Sequence, residues 1–380
     1  MFLKSTVKRI LRFICSLLIP VRPGTVLILE SSYPSGSNTH ILYKRLKEAG
    51  RYRVDRIERG ELFLKNKSFS EVLRVLKLVV RMSRYQLIVC SHGNEKYNNK
   101  QILIDVWHGI PLKAMRHMEP TAAERGLMEP NLDYLITTSK MHSVLMGATH
   151  HIPFTKHRIL GYPRNDHLFA EMKEDVLNLQ NYDKVLLYMP TFRQGYYLNR
   201  VEGKVYDNLF NFEHFSEEDF IHYLTEKNYL LILKLHPMEE KIFKEKYSKY
   251  QDRILFLTTE KLKELDMDLY QILPHTDLLI TDYSSIYFDY LLLDKPMVFI
   301  NADLEEYKAN RGILLEPYDA WTPGYKAQNQ ESLVDAIERS FREDAFRQKR
   351  GELKEIFHQH QDGHATDRLM ELIGQLMQKR

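Results

Sequence analysis

Short continuous apolar runs, many followed by helix-forming stretches, recur along this chain in two successive series. The first series holds Thr25–Leu29, Tyr85–Cys90, Ile102–Trp107 and Tyr134–Thr138, with helical patterns over Asn38–Ala49 and Phe69–Arg84. The second begins at Lys184 and holds Val185–Met189, Tyr229–Leu233, Ile254–Leu257, Leu278–Thr281 and Met297–Ile300. Helical patterns over Ser216–Glu226, Glu239–Tyr247 and Ser285–Leu293 separate several of these. A strand that is apolar on both faces must be covered on both, which is the condition of a parallel sheet with helices on either side. Two such series predict two doubly wound α/β domains, and 380 residues suffice for two cores. The spacing predicts domains over 21–165 and 166–365, joined near Gly161–Tyr182, with a helix over 1–20 before them and one over 366–380 after them. Glu331–Arg380 reads as almost entirely helical.

Charge narrows the function. The 54 basic and 51 acidic residues leave a net +3, too little for a dedicated nucleic-acid binder. Lys4, Lys8, Arg9, Arg12 and Arg22 all precede the first acid, Glu30, so the basicity belongs to the amino-terminal tip. On a helix, Lys4, Ser5, Lys8, Arg9, Arg12 and Ser16 share one sector, and apolar residues fill the other until Pro20. That pattern suits a helix lying on an anionic membrane surface. Packing of the helix on its own domain is the alternative reading, and a signal or anchor segment a further one. The uncharged run Phe13–Val21 is about half of what a membrane span needs. Two cysteines, Cys15 and Cys90, exclude a disulfide scaffold and a four-cysteine zinc site, and fit a reducing compartment.

Ligands of doubly wound sheets sit beyond the carboxyl ends of the strands. His108 and Gly109 directly follow the Ile102 run: the imidazole can accept a proton near neutral pH, the glycine admits a ligand close to the backbone, and Lys113 can meet an anion. A structural histidine in a tight turn is the alternative. Lys234 and His236 repeat the design after Tyr229–Leu233, with Pro237 placed to open a helix. Thr281, Asp282, Ser284 and Ser285 follow Leu278–Ile280, where hydroxyls and N–H groups at a helix start can cradle phosphate, or where Asp282 or Ser284 simply caps the helix. Thr191 and Arg193 follow Val185–Met189, and Arg193 is a candidate phosphate clamp or a surface arginine. Arg164 and Asn165 lie in a turn near the expected joint.

Other chemistries lack their residues. The chain has no phosphate-binding Gly-x-x-x-x-Gly-Lys loop, no Gly-x-Gly-x-x-Gly after its first strand and no His-Glu-x-x-His or Cys-x-x-Cys pair. His358, His360 and His364 read as a solvated loop rather than a metal site. Neither cysteine is placed as a catalytic thiol. No cofactor and no metal is called for.

Trp-His-Gly-x-Pro-Leu-Lys, Gly-x-Pro-Arg-Asn-Asp, Pro-Thr-Phe-Arg, Lys-Leu-His-Pro and Thr-Asp-Tyr-Ser-Ser-x-x-Phe-Asp occur in that order between Trp107 and Asp289. The set resembles the CDP-glycerol glycerophosphotransferases of teichoic acid synthesis, over roughly Glu30–Arg368. Arg311-Gly312 and Pro323-Gly324 also look like family features. The resemblance implies a GT-B fold of two Rossmann-like domains facing a cleft, 21–165 on the acceptor side and 166–365 binding CDP-glycerol. It implies a bacterial peripheral enzyme at the cytoplasmic face of the membrane that transfers glycerol phosphate to an undecaprenyl-diphosphate ManNAc-GlcNAc acceptor and releases CMP. The layout is similar to that of the priming members. Ribitol-phosphate or poly(glycerol phosphate) polymerases, and a GT-B glycosyltransferase using a nucleotide sugar, are the alternatives. His108 and His236 are then the catalytic candidates, with Gly109, Lys113, Arg164, Asn165, Thr191, Arg193, Lys234, Thr281, Asp282, Ser284 and Ser285 binding substrate. The chain departs from the family pattern at Ile110, where threonine is usual, and at Phe192, where tryptophan is common.

Overall fold

The computed structural model describes residues 2–66, 68–93, 95–122, 127, 129–171, 175–192 and 207–378. The first half runs α1 (Phe2–Leu18), β1 (Arg22–Glu30), α2 (Asn38–Ala49), β2 (Arg53–Glu58), α3 (Phe69–Met82), β3 (Tyr85–Cys90), β4 (Ile102–Asp105), β5 (Tyr134–Thr137), α4 (Lys140–His150) and β6 (His157–Ile159). The second runs β7 (Lys184–Tyr188), α5 (Glu217–Glu226), β8 (Tyr229–Leu233), α6 (Pro237–Lys246), β9 (Ile254–Phe256), α7 (Thr259–Glu264), β10 (Leu278–Thr281), α8 (Ile286–Tyr290), β11 (Met297–Ile300), α9 (Leu304–Asn310), α10 (Tyr318–Trp321) and β12 (Tyr325–Ala327), followed by α11 (Gln330–Arg342), α12 (Arg347–Phe357) and α13 (Ala365–Gln378).

The strands form two six-stranded sheets, ordered β2-β1-β3-β4-β5-β6 and β12-β11-β10-β7-β8-β9. Every pairing is parallel. β3, β4, β8, β10 and β11 are buried at every residue, as their continuous apolar sequences require. β2, β6 and β12 are edge strands that the apolar runs do not announce. β2 reads Arg-Val-Asp-Arg-Ile-Glu, with Val54 and Ile57 buried among charges, and the other two have three residues each.

Two compact units result, one of 1–108, 128–167 and 359–380, the other of 109–127 and 168–358. This division differs from the sequence-based boundaries mainly at two places, with 166–167 also moving to the first unit. Residues 359–365 and α13 belong with the first unit, where Leu369 and Ile373 enter the core of Val26, Ile28, Leu42 and Leu46. The Asp166 carboxylate accepts the N–H groups of Ala365 and Thr366 at the start of α13, each at 2.8 Å. Residues 109–127 belong with the second unit, because Lys113 forms an antiparallel bridge with Ile313 and Ala114 donates to the Gly312 carbonyl. The core of the second unit centres on Leu186, Leu231, Leu233, Leu278, Ile280 and Val298.

α1 docks through its carboxyl-terminal end. Cys15 is buried, Asn98 donates to the carbonyls of Cys15 and Ile19, and the Ser16 hydroxyl accepts the Asn99 N–H. Ile10, Phe13, Ile14, Leu17 and Leu18 remain exposed. Among the described residues no helix is long and apolar enough to cross a membrane. His358, expected in a solvated loop, is instead buried, with its imidazole 2.7 Å from the Phe288 carbonyl.

Candidate active site

In the first unit the strand order reverses between β1 and β3, and the loops leaving β1, β3 and β4 carry the polar residues. β4 ends at Asp105, two residues earlier than the apolar run suggests, because Trp107 takes a left-handed backbone conformation with φ 49°. Such a conformation is strained for a bulky residue and persists only where neighbours fix it. Here the Asp105 carboxylate accepts the Trp107 and Gly93 N–H groups, and Asn38 donates to the Trp107 carbonyl at 2.9 Å. Burial pushes the Asp105 carboxyl up to about 6, against the lowering effect of those two N–H groups. Burial likewise pushes the neighbouring Cys90 thiol well up, which makes it a poor nucleophile.

The strained turn presents His108. Its Nδ1 lies 2.7 Å from the Ser91 carbonyl, and a carbonyl only accepts, so Nδ1 carries the proton. The neutral ring therefore has its basic lone pair on Nε2. The His92 ring stacks on it at 4.0 Å with planes 5° apart, and Trp107 packs at 4.3 Å. Burial, with the adjacent His108, pushes the His92 imidazole well below its ordinary value, so His92 supplies a neutral platform.

Arg164, expected to bind substrate, is buried and donates to the carbonyls of His108 and Gly36, while its own N–H goes to Asn38. These contacts make it a brace for the loop that presents His108. Asn165 beside it is also buried. Glu30 at the end of β1 organises the loop that follows: its carboxylate accepts the N–H groups of Ser31, Ser32 and Tyr33 and the hydroxyls of Ser37 and Thr39. Burial alone would raise its pKa, but these donors outweigh burial and lower it.

In the second unit the order reverses between β7 and β10. There the Asp282 carboxylate accepts the N–H groups of Thr191 and Tyr283, and the Thr281 hydroxyl donates to the Met189 carbonyl at 2.8 Å. Asp282 and Thr281 thus clamp the two strand exits together. Asp282 does not cap α8: the residue before that helix is Ser285, whose side chain makes no capping bond. Ser284 and Ser285 are half-buried. The Thr191 hydroxyl is buried and has no hydrogen-bond partner among the described residues, which marks it as a group awaiting one.

β8 lies beside β7 and delivers Lys234 and His236. Lys234 is buried, and its ammonium is matched by Glu240 at 2.7 Å. His236 stacks on Phe192 at 4.0 Å with planes 19° apart. Burial lowers its pKa, Lys234 lowers it further and Glu240 opposes both. The lowered pKa keeps this imidazole neutral at pH 7. Lys113 and Gly109 lie on the 109–127 segment of the second unit. Arg193 lies outside the described residues.

The structure adds His92 and Glu30 to the residues singled out from sequence, and gives Phe192, noted there as a departure from the family pattern, a stacking partner in His236. His92-Gly93 follows β3 just as His108-Gly109 follows β4, so the same strand-exit signal was present. Glu30 ends its strand in the same way.

The sequence pattern of the CDP-glycerol:poly(glycerophosphate) glycerophosphotransferases matches residues 16–375. The chain belongs to this family. It is a glycerophosphotransferase of the teichoic acid type. The teichoic acid glycerol-phosphate primase of Bacillus subtilis (strain 168) is 28% identical over 287 residues, covering 72% of this chain and 68% of the primase. The teichoic acid ribitol-phosphate polymerase TarL of Staphylococcus aureus (strain NCTC 8325 / PS 47) is 28% identical over 294 residues, and the match spans about half of that longer protein, 48%, against 72% of this chain. The solved wall teichoic acid polymerase TagF superposes with a TM-score of 0.73 at 19% identity, over 99% of this chain and 96% of the TagF chain. That likeness establishes a shared fold, of the GT-B class expected from the sequence.

Proposed function

We propose that this enzyme transfers glycerol phosphate from CDP-glycerol to an undecaprenyl-diphosphate ManNAc-GlcNAc acceptor, with release of CMP, as the priming step of wall teichoic acid synthesis. The observation that carries the reading is the His108 imidazole, whose Nδ1 is committed to the Ser91 carbonyl so that Nε2 is the basic atom. In this mechanism Nε2 takes the proton of an acceptor hydroxyl. The oxygen attacks the phosphorus nearest glycerol, and the bond from that phosphorus to the bridging oxygen breaks. CMP leaves with the bonding electron pair, and His236 at the β8 exit, neutral at pH 7, stabilises it by donating a hydrogen bond.

Charge on the transferring phosphoryl group is spread over several oxygens, so preorganised donors serve it best. The unpartnered Thr191 hydroxyl, the half-buried Ser284 and Ser285 and, on the resemblance alone, Arg193 supply them. Lys234 contributes as part of a neutral pair with Glu240 rather than as an isolated cation. The exposed apolar side chains of α1 support a peripheral position at the cytoplasmic face of the membrane.

The test is to incubate the purified protein with CDP-glycerol and a lipid-diphosphate ManNAc-GlcNAc acceptor and weigh the product. One added glycerol phosphate supports priming. A ladder makes the enzyme a polymerase, and a product formed only with CDP-ribitol makes it a ribitol-phosphate transferase. Transfer of a sugar from a nucleotide sugar, with both CDP-polyols inert, overturns the reading.

A further inference from the structure

At the end of the first sheet opposite the strand exits just described lies a cavity of about 180 Å³, lined by Arg22, Thr25, Arg53, Arg81, Arg84 and Tyr85. Register explains why they meet: Thr25 of β1 pairs with Arg53 of β2, Arg22 pairs with Tyr85 of β3, and the Arg22 N–H donates to the Arg84 carbonyl. Arg81 comes from the last turn of α3. These are the amino ends of β1, β2 and β3, whereas Glu30 closes β1 and His92 and His108 follow the carboxyl ends of β3 and β4. At about 3.3 Å per residue, the lengths of β1 and β3 put the cavity roughly 20–30 Å from them.

Four solvent-exposed guanidiniums border one small cavity, a local concentration of positive charge that favours an anion among them. Asp55 at its margin is already engaged, accepting the Tyr85 hydroxyl at 2.6 Å and facing Arg53 at 3.4 Å. Among the described residues Arg22, Arg81 and Arg84 form no ion pair. Planar guanidinium forks match the oxygens of a phosphate.

The flank of the cavity indicates where the phosphate comes from. α3 leads into it and buries only Met82, while Phe69, Val72, Leu73, Leu76 and Val80 are exposed at helical spacing along one stripe. α1 precedes Arg22, and its Cys15 lies against Ser83 at the end of α3. Apolar stripes beside a cationic cavity are complementary to one occupant, a bilayer surface that presents anionic phosphodiesters at its rim.

We propose that this arginine cavity holds the headgroup phosphate of an anionic phospholipid, with α3 as a second membrane-contacting helix beside α1. The inference rests on reading the chain as a peripheral membrane enzyme. It adds a non-catalytic lipid site and a fixed orientation at the bilayer.

The test is flotation with phosphatidylglycerol vesicles and with phosphatidylcholine vesicles, comparing wild type, R22Q/R81Q/R84Q and L17S/L18S. Thermal melting and turnover on a short soluble acceptor run alongside as folding controls. The triple variant is expected to lose affinity for phosphatidylglycerol vesicles by roughly 100-fold, from about fivefold per surface arginine. Its melting temperature and short-acceptor turnover are expected to stay at wild-type values. L17S/L18S should weaken binding to both vesicle types and keep the preference for phosphatidylglycerol. Wild-type flotation of the triple variant on phosphatidylglycerol overturns the site while leaving the peripheral reading intact. Failure of wild type to bind either vesicle overturns both. If calorimetry shows that the arginine substitutions abolish binding of inorganic phosphate yet leave flotation unchanged, the cavity serves a free phosphate and the lipid assignment falls.

Discussion

The His108 Nδ1 donates to the Ser91 carbonyl at 2.7 Å, and this bond fixes which nitrogen of the ring is basic. His108→Asn keeps a side chain of similar size and removes the proton acceptor. Turnover is expected to fall by ~10²–10⁴, the usual contribution of a general base. The Michaelis constant for CDP-glycerol should change little. A loss confined to that constant, with turnover kept, would make His108 a binding group instead.

Lys234 and Glu240 form a buried pair, with side chains 4% and 9% exposed. Glu240→Gln leaves a buried ammonium without its counter-charge, a change that typically costs about 3–5 kcal/mol. Urea unfolding of E240Q should show a loss of that order. The double variant E240Q/K234M should recover most of it, because replacing both charges removes the unpaired one. If E240Q unfolds like wild type, Lys234 is not held by this pair and is available to phosphate.

Much of this was legible from the sequence, for identifiable reasons. The central strands are covered on both faces and so read as unbroken apolar runs, and the residues just beyond them had to lie at the ligand end of the sheets. That logic placed His108, His236 and Asp282 just beyond strand ends, where they lie in the structure. It could not separate residues that touch substrate from residues that brace the loop. Arg164 and Asp282 stand in motif positions, yet each is spent on backbone groups in the structure. Nor could it foresee that α13 returns to the first unit, since a helix's apolar face does not name the sheet it covers. β2 escaped notice because its charges mask two inward residues, Val54 and Ile57.

The glycines of two motif-like pairs have a packing reason. A Cβ on Gly324 would lie 2.1 Å from the Met297 carbonyl oxygen, which is backbone of β11 and cannot swing away. Gly312 has φ +81°, and a Cβ there would meet Ala114 at 2.9 Å. Gly324→Ala is expected to cost about 3 kcal/mol or more, at the upper end of overpacking penalties. Gly312→Ala should cost about 2 kcal/mol through strain and crowding together. Thermal melts of the two variants should therefore rank G324A below G312A, and the reverse order would mean that β11 yields more easily than the 114–312 contact.

Burial, with a smaller effect of Lys44, pushes the His167 imidazole from 6.5 to about 4. The folded chain then takes up this proton less readily than the unfolded chain. Stability contributed by the neutral form is present above pH 6.5 and is lost as pH falls towards 4. The ceiling for this one group is about 3 kcal/mol, less after solvent screening. His167→Gln removes the titration, so the stability gap between H167Q and wild type should shift in favour of the variant between pH 6.5 and pH 4.5. Parallel pH–stability curves would show that His167 titrates alike in both states.

The exposed face of α1 gives a prediction that deletion of the helix would confuse. Removing residues 1–19 also removes the contacts of Cys15, Ser16 and Ile19 with Asn98 and Asn99, so lost activity could reflect a disturbed first unit. Leu17 and Leu18 are 68% and 74% exposed and make no such contact, so Leu17→Ser with Leu18→Ser isolates the surface role. Burying a leucine in an apolar phase is worth about 1.5–3 kcal/mol, so the pair should weaken vesicle binding by at least tenfold. Turnover on a long-chain lipid acceptor should fall in parallel, because that acceptor resides in the bilayer. Turnover on a short soluble analogue should stay within about twofold of wild type, since nothing at the strand exits has changed. An equal fall on both acceptors would mean that these leucines serve the enzyme's own packing, and the membrane role of α1 would have to be abandoned.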